Sequence, residues 1–249
     1  MNKEIVVVTA AYGAQTVRQT GGQLALLDMI KRSGAQGVEI RQELLTPDDS
    51  LQTIRNKAHA LGLFTIYSAP YPLLDKDGNV AQSTTEQALK DAETLGARFL
   101  KLPLGNLTRC TTLAGLGKRL RASSVSLLIE NDQTTSGGRL DTLNAFFIQV
   151  EQEDLPIRMT FDMANWDWLG EDAALAAHTL ARHVAYIHVK ASQRRDQKIC
   201  AIALDESGDG WRALLAALPN HVPLGIEFPL MSSDLPALTH YYVTVLKKA

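Results

Sequence analysis

Four side chains set the chemistry expected of this chain: Glu130, Asp162, His188 and Glu227. Each closes a short apolar run, in Leu128-Ile129-Glu130, Phe161-Asp162, Ile187-His188 and Gly225-Ile226-Glu227. Their spacings are 32, 26 and 39 residues, each near the length of one strand plus one helix. No local ligand loop has such spacing, but strand ends converging on one point do. Three carboxylates and an imidazole, with no thiolate, suit a divalent cation such as Mn, Mg or Co, with Zn a further candidate. Without a cation, three packed carboxylates would repel and raise one another's pKa. A bound cation removes that conflict. Taken singly, a strand-end acid is equally well a cap, and a lone histidine a packing group. The four together point to a site.

These groups must be positioned by the elements that carry them. Eight β-branched runs are read as strands: Glu4–Ala10, Gly37–Arg41, Leu63–Ala69, Arg98–Leu104, Val125–Glu130, Ile157–Asp162, Val184–Val189 and Leu224–Glu227. Eight helical segments alternate with them: Gln23–Ser33, Pro47–Ala60, Glu86–Leu95, Leu113–Leu120, Arg139–Glu151, Asp172–Leu180, Gly210–Leu218 and Asp234–Lys247. Thr46-Pro47-Asp48-Asp49 is read as a helix start. Gly34, Gly62 and Gly96 each stand where a helix should end in the left-handed region. Strands alternating with helices indicate a parallel sheet with crossover helices. A doubly wound sheet would carry a glycine-rich phosphate turn after its first strand, and Ala11-Tyr12-Gly13-Ala14-Gln15 is not one. The fold class expected is therefore α/β, a single (β/α)8 TIM barrel spanning residues 1–249. Its active site belongs at the C-terminal ends of the strands.

The composition excludes several alternatives. With 25 Lys plus Arg against 27 Asp plus Glu, the formal net charge is −2, so no global attraction to nucleic acid is expected. No apolar run reaches the length of about 18 residues that a membrane span requires. The run Ile5–Val8 is too short for a secretory signal, which sets the expectation of a cytoplasmic protein. Cys110 and Cys200 form no CxxC pattern and are read as incidental thiols. The remaining histidines, His59, His178, His183, His221 and His240, fall in or near helices and are read as packing or surface groups.

Strand alternation nominates further groups. If Glu39 faces inward, so does Arg41; if His188 does, so does Lys190. Lys101 lies mid-strand in Phe99-Leu100-Lys101-Leu102 and needs a partner, either Glu39 or Glu130, or an anionic substrate. Its plainer role is a salt bridge that closes the barrel. Arg41, Lys101 and Lys190 together would suit a carboxylate or phosphate. Tyr71, Trp166 and Trp168 are candidates for pocket walls or, equally, for packing. Arg194 and Arg195 are read as a solvated charged loop.

Taken together, Gly37-Val38-Glu39-Ile40-Arg41, Ala69-Pro70-Tyr71, Leu128-Ile129-Glu130-Asn131, Phe161-Asp162, Ile187-His188-Val189-Lys190 and Gly225-Ile226-Glu227 resemble the xylose-isomerase-like sugar isomerase and epimerase family of TIM barrels, within the AP endonuclease family 2-like superfamily. The resemblance implies one divalent cation held by Glu130, Asp162, His188 and Glu227. It implies Glu130 and Glu227 as the acid–base pair, Glu39 near the substrate, and a carbohydrate, sugar-phosphate or sugar-acid substrate. It also implies a homo-oligomer, a dimer or tetramer. The reaction implied is proton transfer beside a carbonyl through an enediolate. The chain departs from the family pattern at three points. Ser68 replaces a histidine at the end of strand three, Asn165 replaces the histidine of DxxH, and Ala191-Ser192 follow where an acid is usual. Asn165 can still hydrogen-bond a substrate oxygen. A metal-dependent dehydratase of the 3-dehydroshikimate type is the alternative; an endonuclease-like or non-catalytic sugar-binding barrel is less favoured.

Overall fold

In a computed structural model, which describes residues 3–196 and 198–249, eight parallel strands close into a barrel in the order β1-β10-β7-β6-β5-β4-β3-β2. These are β1 (Ile5–Val8), β2 (Gly37–Arg41), β3 (Phe64–Ser68), β4 (Phe99–Pro103), β5 (Ser126–Glu130), β6 (Ile157–Asp162), β7 (Val184–Val189) and β10 (Leu224–Ile226). Between β7 and β10 an antiparallel hairpin, β8 (Ala191–Arg195) and β9 (Lys198–Ile202), stands apart from the barrel sheet. The helices are α1 (Ala14–Gln19), α2 (Gln23–Arg32), α3 (Leu51–Ala60), α4 (Gln82–Leu95), α5 (Leu116–Ala122), α6 (Leu140–Gln152), α7 (Asn165–Leu169), α8 (Ala173–Leu180), α9 (Gly210–Ala216) and α10 (Leu235–Lys248). None is long and apolar enough to cross a membrane.

Apolar side chains fill two regions. A large core packs the outer strand faces against the helices. A smaller plug of Val6, Ile66, Leu128 and Tyr186 fills the barrel interior. Tyr186 and His188 lie two apart on β7, so both face inward, with ring centroids 4.8 Å apart. Gly225 pairs with His188 across β10 and β7. A Cβ at Gly225 would lie 2.2 Å from the Tyr186 hydroxyl, so only glycine leaves room for that ring.

Local signals explain the element ends. Gly34, Gly62 and Gly96 have φ of +88°, +63° and +68°, as their positions predict. Asp172 and Asp234 accept from the first-turn amides of α8 and α10. The predicted start of α3 differs. Asp49 folds back to accept from the Thr46 amide, and Ser50 caps the helix instead, accepting from the Thr53 amide. Three features went unpredicted, the first being the short helix α1 between β1 and α2. The segment after β7 makes the β8–β9 hairpin where Arg194 and Arg195 were read as a loop, and Asn165 opens the short helix α7.

Candidate metal centre

The four expected groups converge. One ligand atom from each of Glu130, Asp162, His188 and Glu227 lies within 4.8 Å of the others. His188 Nδ1 is 2.7 Å from Glu130 Oε1, 3.2 Å from Glu227 Oε2 and 4.0 Å from Asp162 Oδ2. Parallel register delivers them, since Asp162 pairs with His188 across β6 and β7. Glu227, one residue beyond β10, donates its amide to the Val189 carbonyl.

Each ligand is anchored through the atom that does not face the centre. Glu130 Oε2 accepts from Lys101 Nζ at 2.6 Å. Glu227 Oε1 accepts from Arg41 Nη1 at 3.0 Å. Asp162 Oδ1 accepts from the Ala164 and Asn165 amides, both at 2.9 Å. His188 Nε2 lies 2.8 Å from Glu39 Oε2. Such outer partners fix a ligand's orientation and, for histidine, its tautomer. A buried Asn131 clamps the floor: its side chain donates to the Asp162 carbonyl at 2.9 Å and accepts from the Asp162 amide at 2.8 Å.

A test of fit comes from the buried polar atoms. His188 Nδ1 and Glu130 Oε1 are buried and have no hydrogen-bond partner, although they stand 2.7 Å apart. Buried polar atoms ordinarily find partners. Carboxylate oxygens of Glu130, Glu227 and Asp162 crowded about one imidazole nitrogen are an arrangement that a shared cation accommodates. The residues therefore fit one divalent ion, and the hard oxygen-rich donor set does not select among Mn, Mg, Co and Zn.

The charges around the centre are strongly coupled. Burial alone would raise the Glu39 carboxyl, but the cations Lys101 and His188 beside it push it down to about 2. Burial likewise opposes ionisation of Glu130 and Glu227. Lys101 and His188 hold Glu130 below its usual range; His188 and Lys190 hold Glu227 well below it. Asp162 goes the other way: burial, with Lys190 opposing and the neighbouring Glu227 and Glu130 charges adding, raises it to about 7. Burial disfavours the His188 cation, yet Glu227 and Glu39 outweigh it and raise His188 well above 6.5.

The other predicted site residues divide into two sets. Arg41, Lys101, Asn165 and Lys190 join the cluster. Asn165 accepts from Lys190 Nζ at 3.2 Å and donates to the Asn131 carbonyl. Glu39 is fully buried behind His188, where it touches Lys101 and Arg41 rather than a substrate surface. Trp166, read as a pocket wall, is fully buried against Phe161 with centroids 5.4 Å apart. Trp168 comes nearer the site, its ring 5.8 Å from Lys190 Nζ. Tyr71 is 38% exposed and makes no hydrogen bond to the cluster among the described residues. Asn131 was missed as a site residue; it was read only within a motif, since its signal is a side-chain bond across strands.

Beside the cluster opens a cavity of about 440 Å³ whose lining includes Lys190 and Glu227. Its walls come from the segment after β1, from Ala201 on β9, and from Pro229 and Met231 after β10.

No protein-family model matches the chain, and no curated protein does. Solved structures do. A xylose isomerase domain containing protein from Salmonella typhimurium LT2 is 17% identical, with a TM-score of 0.72 over 98% of this chain and 97% of that one. A D-allulose 3-epimerase from Methylomonas sp. is 11% identical, with a TM-score of 0.69 over 100% and 98%. A probable 3-DHS dehydratase from Bacillus anthracis is 11% identical, with a TM-score of 0.66 over 98% of each chain. At these identities the likeness establishes architecture, and the metal-ligand cluster supplies the chemistry that architecture alone does not. In fold the chain is a closed eight-stranded TIM barrel similar to these structures, with the metal-ligand cluster of a metal-dependent enzyme at the C-terminal ends of its strands.

Proposed function

We propose that the protein is a divalent-metal-dependent isomerase or epimerase that moves a proton beside a carbonyl of a sugar, sugar phosphate or sugar acid. The observation that carries this reading is the anchored quartet: four ligand atoms turned to one point, each held from behind by its own partner. A bound cation supplies Lewis-acid stabilisation to an oxygen that gains negative charge. Glu130 and Glu227 are the acid–base pair in this reading. Both keep carboxylate character at neutral pH, so either can accept a proton. Lys101 holds one carboxylate and Arg41 the other, so each is oriented by its own cation. In this reading Asn165 and Lys190 orient substrate oxygens.

The test is deuterium incorporation. Mn-loaded protein in D2O, incubated with a panel of ketoses, sugar phosphates and sugar acids, should place deuterium on the carbon beside the carbonyl. Absence of incorporation across the panel, with Mn bound, refutes these substrate classes. A second reading, dehydration of 3-dehydroshikimate, is favoured by the cations Arg41, Lys101 and Lys190 around the centre. Its assay is the appearance of an aromatic chromophore from that compound.

A further inference from the structure

Among the described residues, one group touches the ligand atoms that face the centre without being a ligand. Lys190 Nζ lies 3.3 Å from Asp162 Oδ2 and 3.1 Å from Glu227 Oε2. These are the oxygens turned toward His188 Nδ1. Lys101 and Arg41 instead hold the outer oxygens of Glu130 and Glu227. With Asn165 Oδ1 as its third acceptor, the Lys190 ammonium has every donor engaged. A cation that takes Asp162 Oδ2 and Glu227 Oε2 therefore competes with Lys190 for two of its three acceptors. The freed donors lie at the floor of the 440 Å³ cavity, which Lys190 lines.

Around the centre, Glu39, Glu130, Asp162 and Glu227 face Arg41, Lys101 and Lys190. With Glu43, which Arg41 also holds, adding a divalent cation takes the group from a formal −2 to neutrality. Most of the cavity wall is apolar, with Gln15 and Thr16 on the segment after β1 as its polar side chains besides Lys190 and Glu227. Ala10, Ala201, Pro229 and Met231 are apolar, and Met231 is 84% exposed at the rim. An apolar surface of that kind gains by being covered.

Resting on the proton-transfer reading above, we infer that Lys190 is a displaceable counter-ion. It yields the ligand oxygens to the cation and then clamps an anionic substrate whose remaining, largely apolar part lies along the mouth cavity. Cation binding precedes substrate binding, and a small apolar-tailed oxo acid fits better than a neutral sugar.

Three probes separate these properties: 4-methyl-2-oxopentanoate, 2-keto-D-gluconate and D-fructose, titrated calorimetrically onto metal-free and Mn-loaded protein. The oxo acid should bind the Mn-loaded form most tightly, D-fructose least, and none should bind the metal-free form. In D2O the base carboxylate takes the C3 proton of the oxo acid, the C–H pair becomes the second C2–C3 bond, and the carbonyl π pair moves onto oxygen; on return the C2–C3 pair takes a deuteron at C3 and the carbonyl re-forms. Lys190→Met should weaken oxo-acid binding by about 10- to 100-fold while Mn binds at least as tightly as in the wild type. Lys190→Arg should restore part of the anion affinity. Met231→Glu, at an exposed position that leaves the fold intact, should weaken the oxo acid by like-charge repulsion.

Equal oxo-acid affinity in Lys190→Met, or binding to the metal-free protein, overturns the clamp. Tighter binding of the sugar acid than of the oxo acid overturns the apolar part. Exchange into D-fructose without exchange into either acid overturns the substrate class but leaves the proton-transfer reading standing. No exchange into any probe or panel sugar, with Mn bound, overturns both.

Discussion

The imidazole of His188 is held from behind by Glu39, with Nε2 2.8 Å from Glu39 Oε2 and both side chains fully buried. Because the Glu39 carboxyl is held down to about 2, it is ionised and can only accept. Nε2 therefore carries the proton, and Nδ1 is the atom offered to Glu130, Asp162 and Glu227. A carboxylate on strand two thus decides which nitrogen faces the centre, from the far side of the ring.

Replacing that carboxylate tests the relationship. Glu39→Gln keeps the volume and an acceptor but removes the charge. Mn affinity should fall by about 10- to 100-fold, the usual cost of losing an outer partner of a ligating histidine. Equilibrium dialysis with Mn(II) reads it, and circular dichroism checks that the barrel stays folded.

The acid–base pair makes a kinetic prediction. At saturating Mn, Glu130→Gln and Glu227→Gln should each lower deuterium exchange into the substrate by about 10²- to 10⁴-fold, the contribution expected of a positioned acid or base. Exchange at the wild-type rate in either variant would remove that residue from the pair.

Stability should depend on pH in opposite ways with and without metal. Asp162, raised to about 7, and His188, raised well above 6.5, both favour the protonated folded state. Asp162's contribution is full below its ordinary value near 3.8 and lost as pH rises through about 7. That of His188 is full below 6.5 and is lost as pH climbs through its higher folded value. The metal-free melting temperature should therefore decline from about pH 5 to 8, whereas the Mn-loaded form gains stability as its ligands deprotonate. Calorimetry in buffers of different ionisation enthalpy should also detect protons released as Mn binds, more at pH 6 than at pH 8.

Packing beneath the site offers a fourth test. Gly225→Ala puts a methyl 2.2 Å from the Tyr186 hydroxyl. The overpacking should cost about 1–3 kcal/mol in chemical denaturation. Tyr186→Phe removes a buried hydroxyl that has no hydrogen-bond partner and should be close to neutral alone. Combined, the two should destabilise less than their sum, with some clash remaining against the ring carbon 2.8 Å away.

Much of the site was legible in the chain because strand-end position is a local property. Glu130, Asp162, His188 and Glu227 could be paired by repeat length alone, and alternation on β2 and β7 placed Arg41 and Lys190 beside them. Lys101 was read both as an ion-pair partner and as a substrate ligand; it bridges Glu39 and Glu130. Which side of the histidine Glu39 occupies was not legible, since alternation fixes only the inward face and not the depth within the barrel. For Trp166 the sequence left wall and packing open; after β6 the chain turns at once into α7, which buries the indole against Phe161. The β8–β9 hairpin escaped because Ala191–Ile202 is polar at its tip and lacks a two-residue glycine turn.

The central claim is that these four groups hold one divalent cation, and Mn(II) titration followed by electron paramagnetic resonance tests it most directly. The account predicts one Mn per wild-type chain, with stoichiometric binding lost in both Asp162→Asn and His188→Ala. A wild-type protein that leaves all added Mn free in solution, or an Asp162→Asn variant that still binds one equivalent as tightly, would contradict it.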